Sequence, residues 1–338
     1  MFETRAKETR AVADKAAAFR LFKEFLAIAG YTGGNSNGSL SMNKYKCVGI
    51  ISPSVMLGLR EQIDLSKGIS HLESLGMKVK VAPSVYKGMR QYQGSAQEKA
   101  QDIMAMYEDD GVDILLAAHG GAGALRVLEY LDYDIIRKHR KPIIGFSDTT
   151  SLQMGVYAQT GNPFVTGYFP EYEFRAAEGI HPLVELGLKD VLAGKRFSVQ
   201  SGKTAHGGIA EGVLLGECLS TISDLSGTPY YPNIAGSILL LEDECESSYK
   251  ISLMLTQLRY NPQFKDVKGI VIGRFSECVD HPTQGSMAEV IADFAAQVNV
   301  PMITDFNFGH FRERFVLPAG VKYRLDADNC VLQQLEDL

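Results

Sequence analysis

The sequence predicts an α/β protein built on a doubly wound parallel sheet, with a second α/β domain after it. Short β-rich apolar runs alternate with segments of helical spacing from about residue 46 to residue 157. This alternation is typical of parallel sheets whose helices cover both faces. A second α/β stretch begins near residue 208, after a less periodic segment. At roughly 100–200 residues per domain, a chain of 338 residues is expected to form two domains.

The first domain is predicted to span residues 44–167. Its expected strands are residues 47–52, 77–82, 113–118 and 142–146. Apolar residues between the first two strands follow a near-helical spacing. Ser95 and Glu98 have the spacing of a capping box, which predicts the start of another helix. Ligands of such sheets bind at the carboxyl ends of the strands, so residues there are the first candidates for a site.

The second domain is predicted to span residues 208–338 and to be α/β as well. Its expected elements are strands at 212–216, 237–242 and 269–273, helices at 248–260 and 286–298, and a β-rich segment at 321–334. Residues 168–207, which contain prolines and several glycines, are predicted to link the two domains. Residues 1–43 are predicted to be an appendage, with a helix over 4–29 and a Gly, Ser and Asn-rich linker after it.

Composition and charge argue against several classes of protein. The net charge is −6 and no run of Lys or Arg forms a basic face, so we expect no nucleic-acid partner. The five cysteines are far apart and form no Cys-x-x-Cys pair, which argues against a disulfide framework and a zinc site. Charged residues interrupt the apolar stretches, so neither a secretory signal nor a membrane span is predicted. We therefore expect a cytoplasmic protein that needs no metal or cofactor.

A serine lies at a sharp strand-to-helix turn in the first domain. The segment IIGFSDTTSLQMGVYA (143–158) runs from an apolar strand through Ser147 and Asp148 into a helix. This is the layout of a nucleophile elbow, in which the turn exposes the serine hydroxyl and Gly145 leaves room for it. The backbone N–H of Asp148 would then stabilise a developing oxyanion. Taken alone, the segment fits a Ser or Asp helix cap better, because Thr149 replaces the second glycine of the usual elbow motif.

A glycine-rich turn follows the preceding strand of the same domain. In AAHGGAGALRVLEYLDYD (117–134), backbone N–H groups can point at an anion. The segment matches neither the dinucleotide-binding pattern nor the Walker phosphate loop. An oxyanion-hole loop and a plain tight turn at a helix start fit it about equally well.

Two segments of the second domain carry candidate partners for the serine. An apolar strand ends in Glu242, from which a carboxylate can orient a histidine. The alternative is a solvated acidic turn, because further acids follow. His310 follows a glycine in a loop of aromatic and apolar residues, where a packed histidine is the more ordinary interpretation. His119 and His206 also lie beside glycines and compete with it as candidate bases.

Taken together and in this order, these segments resemble the LD-carboxypeptidase family of serine peptidases, which includes the microcin C immunity protein. The resemblance covers roughly residues 46–328. It rests on GIISPS (49–54), GGAGALRVLEYLDYD (120–134), IGFSDTTSL (144–152), the stretch 212–246, GIVIGRF (269–275) and FGHFRERFVLPAG (308–320). Any one piece is weak, but six in the right order are a strong signal.

The resemblance implies a catalytic triad. The family's serine lies in a G-[FY]-S-D motif, which Ser147 matches, and its glutamate is the first acid after the apolar strand, which is Glu242. Its histidine precedes an L-P-x-G motif, which places it on His310. The oxyanion hole would come from the N–H groups of Gly121 and Asp148. The resemblance also implies a flavodoxin-like N-terminal domain, a smaller swivelling-type C-terminal domain, a site in the cleft between them, and a homodimer.

The implied activity is a carboxypeptidase that cuts between an L-centre and a terminal D-residue, releasing D-alanine from murein tetrapeptide in cell-wall recycling. A basic residue should bind the free carboxylate of this peptide substrate, and Arg312 or Arg314, close after His310, are candidates. Two departures from the family pattern concern the substrate. His119 stands where the family often has arginine, and Glu217-Cys218 stand where it often has Gly-Asn.

Two rival functions remain open. An immunity-type enzyme would cleave a peptide–nucleotide amide and stack the base on an aromatic loop. The absence of tryptophan and the modest interval between Ser147 and Glu242 favour the carboxypeptidase, although Tyr168, Phe169 and Tyr172 could stack. A rival of another class is a non-catalytic α/β protein that binds an anion at the glycine-rich turn. A cysteine hydrolase is less favoured, because no cysteine occupies an elbow position.

Overall fold

The computed structural model describes residues 43–55, 57–86, 95–283 and 285–338. The strands are β1 (Cys47–Ile51), β2 (Lys78–Val81), β3 (Ile114–Ala117), β4 (Ile143–Gly145), β5 (Phe164–Thr166), β6 (Ser198–Gln200), β7 (Lys203–His206), β8 (Ile209–Cys218), β9 (Ser237–Glu244), β10 (Gly269–Ser276), β11 (Met302–Thr304), β12 (Leu317–Ala319), β13 (Lys322–Asp326) and β14 (Val331–Gln334). The α-helices are α1 (Leu59–Ser74), α2 (Ala96–Glu108), α3 (Tyr133–His139), α4 (Thr149–Thr160), α5 (Pro182–Leu192), α6 (Leu219–Leu225), α7 (Ser248–Tyr260) and α8 (Met287–Ala295). The helix predicted over residues 4–29 lies outside the described residues.

The first sheet carries the N-terminal half of the chain. Its strands lie in the order β12-β5-β4-β3-β1-β2. Strands β1 to β5 are all parallel, and their order is that of flavodoxin-like folds. Strand β12 comes from the end of the chain and pairs antiparallel with β5. The predicted fold class is confirmed, and β12 adds a connection between the two halves that the sequence did not indicate.

The second sheet is mixed. Its strands lie in the order β6-β14-β13-β8-β9-β10-β11-β7. The four central strands, β8 to β11, are parallel, and the strands on either side of them are antiparallel. Helices α7 and α8 each start with a serine whose side chain accepts a backbone N–H of the first turn, which satisfies a donor that the helix leaves free.

The segment predicted to link the domains is more ordered than expected. Residues 168–207 contain helix α5 and strands β6 and β7, and both strands belong to the second sheet. These strands are only three and four residues long and lie at the sheet edges. So few residues carry no readable alternation, which is why the sequence did not predict them. The boundaries at 44–167 and 208–338 stay predictions.

The site lies at the carboxyl ends of two pairs of neighbouring strands, one pair in each sheet. Strands β3 and β4 are buried along their whole length, and the chain leaves them at Ala118 and Phe146. Strands β8 and β9 are parallel neighbours, and Cys218 at the end of β8 pairs with Glu242, two residues before the end of β9. Parallel strands that end together bring the residues after them to one edge, so both sheets contribute side chains to the same place.

Candidate active site

Ser147 lies in a strained turn between β4 and α4. Its φ is +59°, in the left-handed region that non-glycine residues rarely adopt. A Cβ on Gly145 would lie 2.6 Å from Cγ2 of Thr149, so the turn needs glycine there. The side chain of Asp148 makes no cap to α4 and instead accepts the N–H of Ala124 at 2.9 Å. The geometry is that of a nucleophile elbow and not of a capped helix.

The glycine-rich turn packs directly against this serine. A Cβ on Gly120 would lie 3.2 Å from Cβ and 3.3 Å from Oγ of Ser147. Gly121 has a φ of +119°. The hydrogen bond from Ala124 to the buried Asp148 ties the turn to the elbow. The turn is therefore in place to present backbone N–H groups beside the serine hydroxyl.

The structure brings His310 and Glu242 together. Nδ1 of His310 lies 2.8 Å from Oε2 of Glu242, and the two side chains are 4% and 0% exposed. Glycines make the approach possible, because a Cβ on Gly309 would lie 3.2 Å from Oε2 of Glu242 and one on Gly273 would lie 3.1 Å from its Cβ. A buried carboxylate on Nδ1 fixes the tautomer and orientation of the ring, leaving Nε2 for proton transfer.

The histidine contacts the N-terminal domain. Its ring packs on that of Phe146, the residue before Ser147, with 4.9 Å between centroids. Nε2 of His310 is buried without a hydrogen-bond partner among the described residues, and Oε2 of Glu244 lies 3.8 Å from it. Catalytic hydrogen bonds are often open in unliganded enzymes, so a free Nε2 beside the elbow is compatible with a general base.

The site is rich in carboxylates, and their charges shift the pKa values of its titratable side chains. Burial lowers the pKa of His310, but the charge and hydrogen bond of Glu242, together with the charges of Glu244 and Glu217, outweigh it. The net direction is upward from the usual value of 6.5. Burial and the neighbouring Glu242 raise the pKa of Asp243 to about 6. The surroundings thus favour the cationic form of His310.

The two competing histidines have other partners. His206 lies in β7, and its Nε2 is 2.8 Å from the carbonyl oxygen of Ala295. Nδ1 of His119 lies 2.9 Å from Oε2 of Glu171, which is fully buried and also forms an ion pair with Arg175. This His–Glu–Arg cluster flanks the glycine-rich turn. The sign of this cluster in the sequence was His119, which stands where the family often has arginine. Glu171 and Arg175 follow more than fifty positions later and were not predicted.

Arg314, one of the two arginines predicted to bind the substrate, lies in the interior of the protein. Its side chain is fully buried, and its guanidinium donates to the carbonyl oxygens of Gly167 and Phe311 and forms an ion pair with Glu173. Each of the three guanidinium nitrogens thus donates to a partner inside the protein. Arg312 is about half exposed and pairs with Glu178 at 3.0 Å. It stays a candidate for binding a carboxylate.

Two of the three aromatic residues considered for base stacking are unsuitable. Tyr168 and Phe169 are buried, and Phe169 stacks on Phe146 with 4.4 Å between centroids. Tyr172 is partly exposed but packs edge-on against Phe146 and lies under Arg175. Because they are buried, Tyr168 and Phe169 offer no free face to a nucleobase.

Across the described ranges, no group of three or more His, Cys, Asp or Glu side chains is arranged to hold a metal ion. None of the helices in the same ranges is long and apolar enough to cross a membrane.

Two family models match the chain in the order of its domains. The model of the LD-carboxypeptidase N-terminal domain matches residues 48–167, and that of the C-terminal domain matches residues 211–325. The chain belongs to the LD-carboxypeptidase family. The family resemblance inferred from the motifs is thereby confirmed, as is the expectation of a serine-type peptidase.

Several relatives of this LD-carboxypeptidase family member each match more than four fifths of the chain. A probable murein peptide carboxypeptidase of Bacillus subtilis is 29% identical and covers 83% of this chain and 89% of its own. The microcin C7 self-immunity protein MccF of Escherichia coli is 25% identical and covers 83% and 91%. The crystal structure of a muramoyltetrapeptide carboxypeptidase from Oxalobacter formigenes has a TM-score of 0.76 at 26% identity and covers 84% and 97%.

Proposed function

We propose that the protein is a serine carboxypeptidase that cleaves an L,D-peptide bond and releases the terminal D-alanine of murein tetrapeptide. The observation that carries this proposal is the buried His310–Glu242 pair beside the Ser147 elbow, in a chain of the LD-carboxypeptidase family. The named relatives supply the substrate class, since two of them are called murein peptide or muramoyltetrapeptide carboxypeptidase.

The arrangement suits acyl transfer through a covalent intermediate. Oγ of Ser147 would attack the scissile carbonyl carbon while Nε2 of His310 accepts its proton, and Glu242 would stabilise the resulting imidazolium. The N–H groups of Gly121 and Asp148 would hold the tetrahedral oxyanion. His310 would then protonate the leaving D-alanine amine, and the C–N bond would break. Water, deprotonated by His310, would hydrolyse the acyl-serine and restore the hydroxyl.

The substrate's free carboxylate needs a cation, and Arg312 is the exposed one of the two candidates from the sequence. It lies two positions after His310 on an exposed loop, and its present partner Glu178 is mostly exposed. An exposed ion pair of this kind contributes about 0–1 kcal/mol, so a substrate carboxylate can replace it at small cost. Arg175 is a second candidate, because it is half exposed beside His119 and Gly120.

An immunity-type peptidase that cleaves a peptide–nucleotide amide is the alternative. The similarity to the self-immunity protein MccF supports it. The burial of Tyr168 and Phe169 counts against it, since these were the residues considered for holding a base. A non-catalytic binding protein would not need the buried His310–Glu242 pair.

The deciding experiment measures two products from one preparation. Purified protein would be incubated separately with murein tetrapeptide and with an aminoacyl sulfamoyl nucleoside, following D-alanine and nucleoside release. We expect D-alanine from the first, nothing from the second, and neither from Ser147→Ala. D-alanine release by Ser147→Ala would refute the triad, and nucleoside release alone would favour the immunity-type activity.

We further propose that the enzyme acts in the cytoplasm as a homodimer, in cell-wall recycling. All five cysteines are free, as suits a reducing compartment, and the dimer is implied by the family. Light scattering of the full chain would test the oligomeric state, and fractionation of cells would test the location.

A further inference from the structure

Glu217 has a backbone conformation that glutamate rarely adopts. Its φ is +136°, and the preceding Gly216 has a φ of +116°. The residue lies one position before the end of β8, and its side chain is fully buried. A strained, buried acid persists only where the surrounding structure holds it in place, and such residues cluster at functional sites.

Both carboxylate oxygens of Glu217 contact the nucleophile elbow. Oε1 accepts the backbone N–H of Ser147 at 2.7 Å. Oε2 accepts the hydroxyl of Thr150, which lies in the first turn of α4. Because Glu217 belongs to the second sheet and Ser147 follows a strand of the first, these bonds cross from one domain to the other.

The position of Glu217 relative to the base is equally specific. It lies in β8, the parallel neighbour of β9, and its backbone pairs with Leu241, next to Glu242. The domain that carries His310 and Glu242 thus also forms hydrogen bonds to the turn that carries Ser147. A two-domain site needs such a contact, because small shifts between the domains would separate the nucleophile from its base.

We propose that Glu217 is a positioning residue for the reaction, holding the Ser147 turn in register with His310 and Glu242 across the domain boundary. The inference rests on the proposed function only in taking Ser147 as the nucleophile. It does not depend on which peptide is cleaved.

Burial and the neighbouring Glu242 raise the pKa of Glu217, against the hydrogen bonds that it accepts from Thr150 and Ser147. Glutamine has the same shape and keeps an acceptor for the N–H of Ser147, while its amide can donate to Thr150. Glycine adopts a φ of +136° without strain but removes both contacts. The two substitutions therefore separate the contact from the backbone conformation.

The test uses Glu217→Gly, Glu217→Gln and, as a matched control, Glu211→Gly, which alters a half-exposed acid on the same strand. The rate at which a fluorophosphonate labels Ser147 would be measured in the full-length protein, with thermal unfolding, kcat and KM. A displacement of about 1 Å can cost about 10²-fold in rate. We expect Glu217→Gly to lose about that factor in labelling and in kcat, with KM and the unfolding midpoint little changed.

Glu217→Gln should recover labelling to within about threefold of the wild type, since it keeps the acceptor geometry. Glu211→Gly should label at the wild-type rate. Wild-type labelling in Glu217→Gly would overturn the proposal, and so would equal losses in the Gly and Gln variants. If the wild type is labelled but releases no D-alanine, the proposed substrate is wrong while the role of Glu217 is still tested.

Discussion

Nδ1 of His310 lies 2.8 Å from Oε2 of Glu242 across 68 positions of sequence, with both side chains buried. Glu242 ends an apolar stretch in the middle of the second sheet, and His310 lies in the loop that leads to β12 in the first sheet. The loop therefore runs from one domain to the other at the point where the candidate base is held.

Replacing Glu242 with Gln should remove the charge that orients and stabilises the imidazolium while keeping the size of the side chain. Loss of a triad carboxylate lowers kcat by roughly 10⁴-fold in serine peptidases. We expect a fall of that order, with KM little affected, measured by D-alanine release. An activity within tenfold of the wild type would show that Glu242 is not the orienting acid.

The pH dependence of kcat/KM should follow the histidine. A general base must be neutral, and the pKa of His310 is raised above 6.5 by Glu242, Glu244 and Glu217 against the effect of burial. Activity should therefore rise with pH through a midpoint above 6.5.

Removing one of these charges should move that midpoint down. Glu244→Gln takes away a carboxylate 3.8 Å from Nε2, so the active form should persist to lower pH. Glu246→Gln, two positions further on, serves as the control and should leave the midpoint in place. A profile that Glu244→Gln leaves unmoved, or moves to higher pH, would contradict the assignment of His310 as the base.

The glycine-rich turn offers a matched pair of substitutions. Gly121 and Gly123 both have a φ of +119°, but a Cβ on Gly121 would clash with Val55, whereas one on Gly123 meets nothing within 4 Å. Backbone strain is thus common to both alanine variants, and displacement of the turn is expected only in Gly121→Ala. Loss of one oxyanion donor costs about 10²–10³ in kcat, and we expect that loss in Gly121→Ala alone. Equal kinetics for the two variants would count against Gly121 as a donor.

The two arginines after the histidine should respond differently to substitution. Arg314→Met leaves Glu173 as an unpaired carboxylate in the interior, and breaking a buried pair in this way costs about 3–5 kcal/mol. We expect a clearly lower thermal unfolding midpoint. Adding Glu173→Gln to that variant should restore part of the loss.

Arg312→Met should leave the unfolding midpoint nearly unchanged, since an exposed pair contributes little. If Arg312 binds the substrate carboxylate, KM for murein tetrapeptide should rise while labelling of Ser147 by a fluorophosphonate stays the same. An unchanged KM would mean that another cation binds the substrate carboxylate, and Arg175 would be the next residue to test.

Much of the fold could be predicted from local pattern. The central strands and the helix Ser248–Tyr260 carry their periodicity over enough residues to be read, and the predicted bounds agree with the structure within a few positions. Edge strands of three or four residues could not be found this way. The pairing of β12 with the first sheet was also missed. Alternation of apolar and polar residues indicates where a strand lies, but not which strand it pairs with.

The sequence by itself determined the family, the class of fold and the order of the candidate serine, glutamate and histidine, since these depend on motifs that are short and local. Only the tertiary structure decided that Arg314 is an interior ion pair and that Glu217, seventy positions from Ser147, accepts its backbone N–H. The physical reason is that burial and hydrogen bonding depend on which surfaces the two domains place against each other. No periodicity along the chain records that arrangement.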